Sequence, residues 1–250
     1  MRIPDTLRWL CGAIFLLAAS AIPAQTCTPS IPFQYESQNQ AQATWTAATP
    51  TDPCALTVAL NADAGASAAA FVHYQRASPL TLARYGFRID TSALTGMTLA
   101  NRGVWLFTAS SPTPVTPAVG GLVLLTLRGA STAPALTLAA ACSCGAVLDR
   151  IDMPPGVHTV RLEIATGAGA AGAVRLWLDH AFTDAPDRVL DQAGAGLDNA
   201  AGQGVIAAEI GLSTASPAFR TDYAGANVTF DQFESNDDTL FFSDFTGGGQ

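Results

Sequence analysis

The chain of 250 residues carries 20 acidic and 12 basic residues, a net charge of −8, and only 13% of its residues are charged. All 12 basic residues are arginines, so catalysis through a lysine Schiff base is excluded. Contacts to a nucleic-acid backbone require clustered Lys and Arg. The sequence has no such cluster, so nucleic acid is not a predicted partner.

The N-terminus is typical of a secretory signal peptide. Arg2 and Arg8 flank the start of the apolar run at residues 9–22, which is followed by the small residues of "AIPAQTC". The run is too short to span a bilayer comfortably and has the layout of an export signal. We predict cleavage after Ala24, with Ala21 as the alternative, and an uncleaved anchor as the competing interpretation. The mature protein is then periplasmic or extracellular, without a later membrane span, and comprises one domain at 25–246 and a flexible tail at 247–250.

Four cysteines remain after the predicted cleavage: Cys27, Cys54, Cys142 and Cys144. An even number in an exported chain predicts two disulfides, with three possible connectivities. The Cα atoms of residues two apart on an extended strand are separated by a distance near or beyond the largest that a disulfide can bridge. Cys142 and Cys144 can therefore pair only across a tight turn, which Gly145 permits. We favour Cys27–Cys54 with Cys142–Cys144. A zinc site is not predicted, because no ligand spacing of the usual kind is present.

The mature sequence shows short alternating runs separated by turn residues, without sustained helical periodicity. This pattern predicts an all-β fold, a two-sheet antiparallel jelly-roll sandwich. A loop rich in Pro, Ser and Thr at residues 110–121 is predicted to be an exposed connection. The predicted strands are residues 55–60, 69–75, 83–90, 103–109, 121–129, 135–141, 157–165, 173–179, 205–212 and 228–235.

The clearest hairpin lies in residues 157–179, where two alternating runs flank the segment GAGAAG. Period-2 alternation directs the aliphatic side chains to the core and the intervening ones to the opposite face. The residues predicted to share that opposite face are Arg161, Glu163, Arg175 and Trp177. GAGAAG matches the dinucleotide fingerprint GxGxxG, which requires a helix to begin at the last glycine. A strand follows instead, so we interpret the segment as a hairpin loop.

Three segments resemble the C-terminal half of the concanavalin A-like lectin/glucanase jelly roll, including its laminin-G-like modules: "GVHTVRLEIATGAGAAGAVRLWLDH", "GVIAAEIGLS" and "NVTFDQFES". The resemblance implies two antiparallel sheets packed face to face, one of them concave. It does not imply one function, because this fold serves hydrolases, lyases, lectins and structural modules. Val157 stands where the family usually has tryptophan, and Asp179-His180 replaces an Asp-Gly turn, which indicates a longer turn.

Few residues of the sequence match the catalytic patterns of this fold. A retaining glucanase of this fold implies two paired carboxylates about 5 Å apart. The sequence has four glutamates, none of which lies near another: Glu36, Glu163, Glu209 and Glu234. A lyase would need a histidine or arginine with a tyrosine on one face, and His73 with Tyr85 or Arg84 is the available set. No GxSxG motif for a serine nucleophile is present.

Two groups of side chains are candidates for binding. Trp177 offers a flat apolar surface to a sugar ring, and its neighbours Arg161, Glu163 and Arg175 offer planar hydrogen bonds; alternatively a second layer covers this face. A run of aspartates, Asp179, Asp184, Asp187 and Asp191, could converge on a structural calcium ion or could cap ordinary turns. The same two interpretations apply to Asp231, Glu234, Asp237 and Asp238.

The sequence therefore predicts a secreted, non-catalytic module that requires no cofactor and binds a carbohydrate or a cell-surface component through its concave sheet. Two alternatives stay open. One is a polysaccharide-cleaving enzyme, either a glycoside hydrolase or a lyase. The other is a purely structural envelope or surface protein.

Overall fold

A computed structural model describes residues 34–38, 42–46, 55–60, 69–98, 101–113, 121–130, 133–143, 145–191 and 197–235. The predicted signal peptide, the predicted tail, and Cys27, Cys54 and Cys144 lie outside these residues. Export, cleavage and disulfide pairing therefore stay predictions. In the described part of the chain, no helix is long and apolar enough to cross a membrane.

The fold is almost entirely β, as predicted. Within the described ranges, one helix, α1 (Pro217–Asp222), and one 3-10 turn, Ala200–Gly202, accompany the strands. The strands are β1 (Gln34–Gln38), β2 (Gln42–Thr46), β3 (Ala55–Ala59), β4 (Ala69–Leu80), β5 (Leu82–Asp90), β6 (Gly103–Ser110), β7 (Val123–Arg128), β8 (Ala135–Cys142), β9 (Gly145–Asp152), β10 (Val157–Ala165), β11 (Ala173–Leu178), β12 (Arg188–Leu190), β13 (Val205–Ala215) and β14 (Val228–Ser235).

The strands form two seven-stranded sheets. Sheet A has the order β1-β4-β13-β6-β7-β8-β9, and sheet B has the order β12-β11-β10-β5-β14-β3-β2. All pairings between these strands are antiparallel. The predicted antiparallel sandwich is confirmed. Four strands were absent from the prediction: β1, β2, β9 and β12.

The β10–β11 hairpin has the predicted faces. Val160 pairs with Leu178 and Glu163 with Arg175, so the register is continuous along both strands. The aliphatic residues at alternate positions are buried in the core, whereas Arg161 faces outwards with Glu163. GAGAAG connects two strands, as expected of a hairpin loop.

The core lies between the two sheets. Tyr85 of sheet B and Phe107 of sheet A are each 1% exposed, and their ring centroids are 5.4 Å apart. Phe87 and Phe230, on neighbouring strands of sheet B, lie 5.9 Å apart. Large aromatic side chains contribute most of the apolar area that such a core removes from water. The Tyr85–Phe107 pair therefore makes contact between the two sheets, whereas the Phe87–Phe230 pair packs within sheet B.

A bulge in β6 changes which residues face outwards. Strict alternation from Val104 would turn Leu106 inwards and Phe107 outwards, but both are buried in the core. The register with β7 shifts between Trp105 and Phe107, as it does when an extra residue is inserted in one strand of a pair. Trp105 faces away from the core on sheet A, as alternation from Val104 places it, and the bulge turns Thr108 to that same face.

Cys142 is buried at the end of β8, where it pairs with Gly145 at the start of β9. Gly145 adopts a positive φ of 114°, a conformation that glycine tolerates without strain. The proposed bond to Cys144 stays a prediction, because that residue is not among those described.

Ser216 caps α1 and ties it to β6. Its Oγ accepts hydrogen bonds from the backbone N–H of Phe219 at 3.2 Å and from that of Gly103 at 3.0 Å. Ser216→Ala should lower the free energy of unfolding by about 1 kcal/mol, as is usual for loss of an N-cap. Urea denaturation measures this loss. Ser216→Asp, which keeps an acceptor oxygen, should retain most of the stability, and equal losses in both variants would contradict the capping role.

Candidate functional site

Trp177 lies on the outer face of sheet B, but it is covered. The loop between β11 and β12 folds back over the indole, which is 3% exposed. Its Nε1 donates a hydrogen bond to the main-chain oxygen of Asp184 at 2.9 Å. The ring of Phe182 packs edge-on against it at 5.1 Å. In this conformation Trp177 offers no open face to a sugar ring.

The charged residues beside Trp177 are paired with one another. Glu163 is 8% exposed and lies between two arginines: its Oε2 accepts from Arg84 at 2.7 Å and its Oε1 from Arg175 at 2.5 Å. Arg161 donates to both carboxylate oxygens of Glu234, at 3.2 and 3.3 Å. The structure brings all four predicted ligand-binding residues onto one face and joins the polar ones to intramolecular partners.

The aspartates of the candidate calcium site act in turns. Asp179 accepts the backbone N–H of Thr159 at 2.8 Å, and Asp184 accepts that of Ala181 at 2.9 Å. Asp187 accepts the N–H of Leu178 at 2.8 Å. Asp191 is half-buried immediately after β12. Among the described residues, no three His, Cys, Asp or Glu side chains are grouped so that they could hold a metal ion.

The set of residues that the sequence left available for a lyase does not assemble. His73 lies on sheet A, whereas Tyr85 and Arg84 lie on sheet B. Tyr85 faces the core at 1% exposure, and Arg84 faces outwards against Glu163. The two sheets therefore separate His73 from both residues that were considered as its partners.

The outer face of sheet A carries two adjoining depressions. The first, the Trp105 depression, has a volume of about 290 Å³ and is lined by Trp105, Thr126, Arg128 and Ser216, among others. The second, the Arg150 depression, has a volume of about 390 Å³ and is lined by residues that include Arg128, Leu148 and Arg150. Arg128 borders both. A concave surface with an aromatic side chain and convergent polar groups is the usual form of a ligand site.

The pairing of β6, β7, β8 and β9 arranges this surface. Trp105 pairs with Thr126, which pairs with Thr137, which in turn pairs with Arg150. Residues directly opposite on neighbouring antiparallel strands share a face, so these four side chains form a row across the sheet. Thr126 is only 4% exposed and lies at the floor, whereas Trp105 is half-buried and Arg150 is exposed.

A second polar pair lies further along the same face. His73 Nδ1 is 3.5 Å from Oε1 of Glu209, on the neighbouring strand. The other outward carboxylate with a described side chain on sheet A is Asp152, four strands away from Glu209. At about 4.8 Å between strands the two are roughly 19 Å apart, well beyond the separation that paired carboxylates need for glycoside hydrolysis.

Sequence reasoning missed Trp105 and Arg128. Alternation in β7 does indicate that Thr126 and Arg128 face the same way, since Leu125 and Leu127 are in the core. What the sequence could not indicate was that β6 and β9 lie on either side of the β7–β8 hairpin. The strand order of sheet A is what brings these residues together.

No family model matches the sequence, and no curated protein matches it. Solved structures resemble its fold. A PL-14 alginate lyase from Aplysia kurodai has a TM-score of 0.55 and 10% identity over 82% of this chain and 90% of the other. An endo-β-1,4-glucuronan lyase from the fungus Trichoderma reesei has a TM-score of 0.53 and 14% identity over 81% of this chain and 89% of the other.

An endo-1,3-β-glucanase from Streptomyces sioyaensis is similar to the same extent, with a TM-score of 0.52 and 11% identity over 85% of this chain and 91% of the other. At such low identity the likeness concerns the fold alone. It agrees with the predicted resemblance to concanavalin A-like jelly rolls at the level of architecture. The chain shares a two-sheet β-sandwich with carbohydrate-active proteins.

Proposed function

We propose that this protein binds a carbohydrate on the outer face of sheet A, in the Trp105 and Arg150 depressions, without cleaving it. The observation that carries the proposal is that Trp105 and Arg128 line the same depression, and neither side chain makes a hydrogen bond or ion pair with any other residue in the described part of the chain. The proposal moves the binding surface from sheet B to sheet A.

The chemistry of the Trp105 depression suits a sugar. An indole presents a flat apolar surface, while its N–H and neighbouring threonine hydroxyls supply hydrogen bonds. Sugar rings combine an apolar face with a rim of hydroxyls, so they match both groups. The fold likeness to glycan-cleaving proteins supports a carbohydrate ligand without identifying one.

The test is a glycan array with the chain lacking its predicted signal peptide, followed by titration of the best ligand. Trp105→Ala should weaken binding at least tenfold, because the stacking surface is lost. Phe182→Ala removes an aromatic side chain from the loop that covers the outer face of sheet B and is the matched control. It should leave the affinity for the glycan within about twofold, because Phe182 makes no contact with the outer face of sheet A. Thermal unfolding of both variants verifies that they remain folded.

Equal weakening in both variants, or no retention of any glycan, would contradict binding at sheet A. The same titration is assayed for new reducing ends and for unsaturated products. Retention without product supports a binding module. Product formation would contradict the non-catalytic part of the proposal.

Polysaccharide cleavage is the second candidate, because the His73–Glu209 pair lies on the same outer face as the depressions. A carboxylate beside an imidazole orients it and supports its action as a general base. Cleavage that disappears in His73→Gln but persists in Phe182→Ala would favour this candidate. A purely structural role is what remains if neither binding nor product is detected.

A further inference from the structure

We propose that the ligand of sheet A is an anionic polysaccharide, whose carboxylate or sulfate groups are bound by Arg128 and Arg150. This inference rests on the proposed function and names the class of carbohydrate that the site selects. It follows from which arginines of the described residues have intramolecular partners and which do not.

Eight of the ten arginines in the described residues have an intramolecular hydrogen bond or ion pair. They are Arg76, Arg84, Arg88, Arg102, Arg161, Arg175, Arg188 and Arg220. Arg128 and Arg150 are the other two. Both are exposed, and neither guanidinium has a hydrogen-bond or ion-pair partner within the described residues. The chain has a net charge of −8, so its carboxylates outnumber its arginines. A shortage of carboxylates therefore does not explain why Arg128 and Arg150 are unpaired.

The two unpaired guanidinium groups are placed together. Both line the Arg150 depression. They lie on strands two apart in sheet A, displaced by two residues in register, so their Cα atoms are about 12 Å apart. Arginine side chains are long enough to contact one anionic group that lies between them. They could equally contact successive sugar units of one polysaccharide. Like charges at such a separation repel each other, and an anion bound there would relieve the repulsion.

Two carboxylates lie near these arginines without pairing with them. Asp149 also lines the Arg150 depression, but its Oδ2 is 3.6 Å from Nε of Arg188. Asp152 is exposed at the end of β9 and does not line either depression. It occupies the same row as Arg128, two strands away, or about 10 Å. Asp152 also lies two residues from Arg150 on the same face of β9, about 7 Å away. In the described residues, neither Asp149 nor Asp152 forms an ion pair with Arg128 or Arg150.

The guanidinium fork favours planar or multi-oxygen anions. It donates two parallel hydrogen bonds to a carboxylate, and the same fork suits sulfate and phosphate oxygens. Nucleic acid fits less well, because its affinity is built from several phosphate contacts, and the described face offers two arginines beside an apolar Leu148 that is 64% exposed. An acidic polysaccharide combines spaced anions with sugar rings for Trp105.

The experiment compares four polymers on the folded protein lacking its predicted signal peptide: a polyuronate, the same polymer with its carboxyls methyl-esterified, a sulfated galactan and a neutral β-glucan. Isothermal titration at low and moderate salt gives the affinities. At least one acidic polymer should bind tenfold or more tightly than its uncharged counterpart, and salt should weaken that binding. Preference for the polyuronate or the galactan distinguishes carboxylate from sulfate.

Arg128→Ala and Arg150→Ala should each weaken binding of the acidic polymer about tenfold and leave the neutral polymer unaffected. Arg84→Ala is the matched control: it removes the same charge from sheet B, where Glu163 keeps Arg175 as a partner. It should change affinity less than twofold. Thermal unfolding confirms that the three variants are equally folded.

Binding of esterified and acidic polymers with equal affinity, still sensitive to Trp105→Ala, would overturn this inference and leave the proposed function standing. Retention of no polymer at all would overturn both. A single-stranded polynucleotide bound as tightly as the acidic polysaccharide would overturn the assignment to a glycan. Equal loss in Arg84→Ala would show a general charge effect and also overturn it.

Discussion

Phe107→Ala is expected to lower the free energy of unfolding by about 3–5 kcal/mol, the range observed when a buried aromatic side chain is truncated. Phe107 is 1% exposed and lies where the two sheets meet, with Tyr85 opposite at 5.4 Å. Its removal leaves a cavity between sheets that are each held in register by backbone hydrogen bonds, so the surroundings can close only partly. Urea denaturation of the full chain measures the loss.

Phe107→Leu is the control for that prediction. It keeps an apolar side chain at the same position and should lose less than half as much stability. Leu124, on the opposite face of neighbouring β7, provides a second comparison: it is 8% exposed and lies outside the main core, so Leu124→Ala should be milder. A loss below about 1 kcal/mol for Phe107→Ala would show that the sheets do not depend on this contact.

Trp177→Ala is expected to lower the free energy of unfolding by about 3–4 kcal/mol. The substitution removes a buried indole, its contact with Phe182, and the hydrogen bond from Nε1 to Asp184. The carbonyl of Asp184 lies in an exposed residue and can be rehydrated, so the packing loss dominates. Denaturation followed by far-UV circular dichroism measures the change.

Trp177→Phe keeps part of the buried surface without the hydrogen bond and should lose roughly half as much stability. The pair of variants also tests the role that the sequence suggested for Trp177. If this indole is structural, glycan affinity of the folded fraction stays unchanged while stability falls. Unchanged stability with lost affinity would return the binding surface to sheet B.

Local pattern predicted the strands and their faces well. The bounds of β10 and β14 match the predicted segments at both ends, and the predicted division of the β10–β11 hairpin into inner and outer residues is confirmed. Alternation determines this because side chains on a strand point to opposite sides in turn. The short edge strand β12 and the half-exposed β9 carry weaker apolar patterns, and they were missed.

The sequence could not determine which outward residues stay open to a partner. Trp177 and Trp105 both face away from the core on their strands, but a loop closes over Trp177 whereas Trp105 lines a depression. Local spacing contains no information about that loop, because its path depends on contacts far along the chain. The bulge in β6 likewise depends on pairing with β7 and β13.

The sequence by itself thus determined the fold class, the strands of the main hairpin and the inward aliphatic set, since these follow from a two-residue repeat within each strand. Tertiary structure alone decided the order of the strands, the pairing of Glu163 with two arginines, and the isolation of Arg128 and Arg150. These features depend on side chains brought together from distant segments. The candidate site is therefore a property of strand order in sheet A, which no single segment encodes.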